Sequence, residues 1–90
     1  MTDITIPTIH LNGSSKQFLI DQWSKTMEML RLSMDCMRDC TPNGRDYYPQ
    51  GEGVTEKARD EHADRSRKIQ EVHDELMQIA IGVDKQRAAR

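Results

Sequence analysis

Cys36 and Cys40 stand four residues apart, and with His62 they are the candidate metal ligands of this sequence. His10, with no companion His or Cys near it, reads as a polar contact. Zinc needs four convergent ligands. The cysteines fall on one helical stripe and His62 on another, so the sequence predicts no metal site and no cofactor. Spacing of i, i+4 aligns two thiols but fixes the backbones too rigidly for a disulfide within the chain. Buried, reduced cysteines are therefore the expectation. Catalysis has no better footing. There is no nucleophile with an orienting base, no glycine-rich phosphate loop and no carboxylate pair flanking a pocket. A very small all-helical enzyme needs several basic residues converging inside its core, and Arg65 alone does not supply that. The expectation is a protein that is not an enzyme.

The chain that must position these residues is organised around Thr41 to Gly53, which holds two of three prolines and three of five glycines. On both sides, apolar residues recur at helical spacing. Before it, Leu19, Trp23, Met27, Leu30, Met34 and Met37 step by fours and threes, which is a heptad seam. Ser14 followed by Gln17 fits a capping box, and no proline or glycine interrupts the run before Pro42. After the hinge, Val54, Ala58, His62, Arg65, Ile69, Val72, Leu76, Ile79 and Val83 continue the same stepping in a second, longer run. The opposite face of that run is charged, from Lys57 and Asp60 to Asp74 and Glu75, as a solvated helix face is. Folding the arms antiparallel pairs Met34 with His62, Leu30 with Arg65, Trp23 with Val72 and Leu19 with Leu76.

The expected fold is all-α: an antiparallel two-helix hairpin with an extended N-terminal arm at residues 1–13. The helices are expected at 15–40 and 54–86, joined by a loop at 41–53, with a basic tail at 85–90. Ninety residues allow one domain, and a chain this short buries only roughly 60–65% of its unfolded surface. Only 36% of the residues are apolar, which is low for a globular domain and points to an elongated shape or to burial completed by another chain.

Three segments could make contacts outside the hairpin. In the arm, Ile4, Ile6, Ile9 and Leu11 nearly alternate, with Pro7 breaking the register. Such an arm either lies on a partner, in the manner of strand addition, or folds back along its own helices. In the first helix a second stripe, Phe18, Met29, Leu32, Cys36 and Cys40, lies a third of a turn or more from the seam. One partner helix can cover only one of the two stripes, and exposed apolar patches on small proteins mark interfaces. The second stripe must face the arm, another copy or a different protein. The hinge offers Arg45, Tyr47 and Tyr48, residue types favoured at interface centres, although the tyrosines could equally cap the open end of the hairpin. Thirteen residues is also long for a connection between helices.

Net charge is −2 with acids and bases interspersed, and no basic face of the kind that binds nucleic acid is apparent. No apolar run approaches the ~20 residues of a membrane span, and no signal sequence is recognisable. The expectation is a protein made in the cytoplasm, without membrane partners.

Three stretches, PTIHLNGSS (Pro7–Ser15), PNGRDYYPQG (Pro42–Gly51) and ARDEHADR…IQEVHDELMQIA (Ala58–Ala80), together resemble a group of small helical-hairpin proteins encoded in the head and tail morphogenesis regions of tailed bacteriophages and prophages. The resemblance covers nearly the whole chain. The leader and loop motifs are its specific parts. It implies a non-enzymatic structural or adaptor part of the virion, docking on capsid, portal or tail proteins and on copies of itself. Arm, second stripe and loop would make those contacts. The alternative is a regulatory protein that binds a host or phage enzyme in the infected cell and is absent from the particle.

Overall fold

The computed structural model describes residues 3–88. It is an antiparallel helical hairpin preceded by an extended arm. Helix α1 spans Lys16–Asp39, a single-turn helix α2 spans Gly44–Tyr47 and leads into a 3-10 turn at Tyr48–Gln50, and helix α3 spans Val54–Asp84. The molecule is a rod of 64 × 25 × 17 Å.

The N-cap of α1 is Ser15, not Ser14. Ser15 has extended backbone angles (φ −67°, ψ 152°), and its Oγ accepts the Phe18 N–H at 3.1 Å, satisfying one of the free donors of the first turn. Gln17 lies inside the helix and turns outward, donating to Asp21 at 2.7 Å, so no capping box forms. At the other end, the Thr41 hydroxyl donates to the Arg38 carbonyl at 2.8 Å. His62 Nε2 donates to the Met37 carbonyl at 2.7 Å, a second bond to an oxygen that already accepts the Cys40 N–H at 3.0 Å, and this ties α3 to the end of α1. The connection is folded rather than loose. The Asn43 side chain caps α2 by accepting the Arg45 N–H at 3.0 Å, and Gly51 and Gly53 take positive φ (116° and 81°) that only glycine adopts without strain. Arg59 Nε reaches back to the Pro42 carbonyl at 3.1 Å, holding this corner against α3.

The seam of α1 is the expected one, with Met27 buried and Leu19, Trp23, Leu30, Met34 and Met37 half-buried. On α3 the stripe is rotated. Arg65 is exposed and Val72 is 46% exposed, while Ser66 turns inward and His73 is only 8% exposed. Positions 62, 66, 69, 73, 76, 80 and 83 make an equally good heptad row, and polar chemistry decides in its favour. His73 Nε2 lies 3.0 Å from Arg31 Nη1 and its Nδ1 lies 3.2 Å from Asp74. Because a guanidinium can only donate, the ring accepts through Nε2 and donates through Nδ1, so both nitrogens are satisfied and burial costs little. The register between the helices differs as well. His62 meets Met37 instead of Met34, and Arg31 meets His73, so α3 is slid by about one to two turns relative to the expected pairing.

The arm folds back on its own hairpin and joins no strand among the described residues. Gln86 clamps it at two points. Its Oε1 accepts the Ile9 N–H at 2.8 Å and its Nε2 donates to the Pro7 carbonyl at 2.7 Å. Lys16 Nζ donates to the Gln86 carbonyl at 2.8 Å, drawing together the start of α1 and the end of α3. Ile6 packs directly on Gly82, where an added Cβ would lie 2.9 Å from Ile6 Cγ2. Gly82 is thus a notch for the arm, and Val83 beside it is fully buried.

Candidate interaction surface

Of the candidate contact residues in the arm, Ile4, Ile6 and Ile9 are half-buried against the hairpin, and Leu11, at the turn, is 73% exposed. The arm covers the C-terminal part of α3. It leaves the second stripe of α1 uncovered: Phe18 is 54% exposed, Leu32 52% and Met29 48%, and Cys36 is exposed. In the corner, Arg45 and Tyr48 are exposed and Tyr47 is half-buried. The structure therefore separates the candidates into an engaged group (Ile4, Ile6, Ile9, Tyr47) and an open one.

The open group on α1 has a simple geometry. Phe18 and Cys36 each lie nine residues from the buried Met27, so at about 100° per residue they point about half a turn away from it. Met29 and Leu32 flank the same line. The stripe is the back of α1, facing away from α3, and neither α3 nor the arm covers it. Both cysteines share this side and are free and exposed. That corrects the expectation of buried thiols: the seam is filled by methionines and leucines, and the cysteines stand outside it. Among the described residues no group of three or more His, Cys, Asp or Glu side chains could hold a metal ion. No helix of the described residues is long and apolar enough to cross a membrane.

A second feature went unread in the sequence. Where α1 and α3 splay, an open groove of about 620 Å³ runs between Arg31, Met34 and Arg38 on one side and Ser66, Arg67 and Gln70 on the other. Its cations are already engaged. Arg38 pairs with Asp35, and Arg67 with Asp64 and Glu71, while Lys68 lies 3.2 Å from Asp64. Arg31 is held on His73. Hydrogen bonds from Arg67 and Lys68 hold the Asp64 carboxyl below its ordinary value, and Asp64 in turn raises the Arg67 guanidinium. Asp74 is likewise lowered, first by a hydrogen bond from Gln70 and then by His73. These ion pairs brace the shoulder of the hairpin around the groove.

No protein family, curated protein or solved structure matches the chain.

Proposed function

We propose that this chain is a non-enzymatic structural or adaptor component of a tailed-phage particle, docking on a capsid, portal or tail protein. The observation that carries the reading is the uncovered back of α1. After the arm has folded down, Phe18, Met29, Leu32 and Cys36 remain open on one face of a rod whose own core is thin. Surface of this kind on a small protein marks an interface. The resemblance of the leader and loop motifs to phage morphogenesis proteins supplies the setting. The arm isoleucines are engaged on α3, so docking rests on the α1 stripe together with Leu11, Arg45 and Tyr48.

The test is a Leu32→Glu variant expressed in place of the native chain. Particle assembly or incorporation of the protein is lost while helicity by circular dichroism is kept; unchanged incorporation removes the stripe from the interface. Mass spectrometry of purified particles separates this reading from a regulator acting in the infected cell, since only a structural part is present in stoichiometric copies.

A further inference from the structure

The back of α1 carries a charge pattern as well as an apolar one, and the pattern selects its occupant. Asp21, Glu28 and Asp35 recur every seven residues along one edge of the stripe, and Asp39 extends the row. All four are exposed. Glu28 and Asp39 form no ion pair among the described residues, whereas Asp35 is held by Arg38 and Asp21 accepts from Gln17. The other edge, Gln22, Thr26 and Ser33, is uncharged. Lys25 sits on the stripe itself, between Phe18 and Met29.

A second copy of this chain fits that face poorly in either direction. Two antiparallel copies related by a twofold axis bring like edges together, acid row against acid row. Two parallel copies set Lys25 against Lys25 on the seam. Like charges placed opposite one another in a desolvated interface are costly and select against that pairing.

From this we infer that the occupant is an amphipathic helix of another protein, whose apolar stripe packs on Phe18, Met29, Leu32 and Cys36. Lysines or arginines along its edge meet Asp21, Glu28 and Asp39. Helix-on-helix docking with anchors at i, i+3, i+4 and i+7 suits a rigid helical face, and Met29 adapts to the shape it meets. This partner chemistry rests on the docking role proposed above.

The probes are two synthetic amphipathic helical peptides with the same leucine stripe, one edged with lysines and the other with glutamates. Binding to the purified full chain is read by fluorescence anisotropy. The lysine-edged peptide binds at least about tenfold tighter than its counterpart. Asp21→Lys with Glu28→Lys inverts the preference, the same charge change at Glu56 and Glu75 on α3 leaves it as it was, and Leu32→Glu weakens both peptides. Circular dichroism confirms that each variant is folded. Equal binding of the two peptides overturns the inference, as does self-association of the free chain, by light scattering, that Leu32→Glu abolishes. Either result with Leu32→Glu still excluded from particles overturns the partner chemistry alone, whereas normal incorporation of Leu32→Glu overturns the docking face itself.

Discussion

His73 shows how one polar residue can choose between two apolar patterns. It is buried because Arg31 donates to one ring nitrogen and Asp74 accepts from the other. Arg31→Ala leaves Nε2 of the buried His73 without its donor and lowers stability by about 1–3 kcal/mol. Adding His73→Leu to that variant restores most of the loss, because an apolar pair of similar shape has nothing left to satisfy. Chemical denaturation of the four proteins of this cycle checks it, and equal losses in the single and double variants would show that the pair is incidental. Gly82 makes a second residue-scale case. Gly82→Ala gains helix propensity of about 1 kcal/mol but drives a methyl into Ile6. The arm lifts, and the Ile9 amide, now bonded to Gln86, exchanges faster with solvent while α3 remains helical; unchanged exchange at Ile9 would show that the arm accommodates the methyl. Neither residue's role was legible in the sequence. Hydrophobic periodicity ranks Val72 above its neighbour His73, and cannot count the hydrogen bonds that make a histidine cheap to bury. Nothing local to Gly82 reveals its role, since Ile6, which fills its notch, is more than seventy residues away in sequence.

At the scale of elements, α1 has one face that holds the hairpin and one that does not. Met27→Ala, at a position 5% exposed, costs about 2–5 kcal/mol, whereas Met29→Ala, two residues on but on the back, changes stability by less than about 0.5 kcal/mol. Thermal melts of the two variants separate the faces; a comparable loss at Met29 would mean that the back stripe is part of the fold. On α3 two hydrogen-bonded carboxylates, Asp64 and Asp74, add a small acid-sensitive contribution. Asp64 and Asp74 lie below their ordinary value of 3.8 in the folded chain, so their contribution is fully present above that value and is lost as pH falls through the lower folded values. Helicity followed by circular dichroism falls below about pH 4, and Asp64→Asn with Asp74→Asn makes that fall shallower; an unchanged acid limb would assign it to other carboxylates. Both helices, the hinge and the two stripes of α1 were readable from spacing alone, because a stripe is a local property of one helix. The register between the helices was not. It depends on how the corner at 41–53 folds, through the Asn43 cap, the 3-10 turn and the His62 bond to the Met37 carbonyl, and these involve partners that spacing does not reveal.

As a whole the molecule is open. Its radius of gyration is 19.0 Å, against about 12 Å for a compact domain of this length, and Met27, His73, Ala80 and Val83 are the only buried side chains among the described residues. A rod this thin gains stability by mass action from whatever covers its open face. Cys36 reports directly on that surplus face. Its thiol is exposed in the free chain and lies on the stripe assigned to docking. Maleimide labelling of a Cys40→Ser variant, quantified by mass spectrometry in the free protein and in purified phage particles, is the decisive measurement. The expected result is a chain present in particles in stoichiometric amount, with Cys36 labelled readily when free and protected when assembled. A chain missing from the particle, or one whose Cys36 reacts there as fast as in solution, would contradict it.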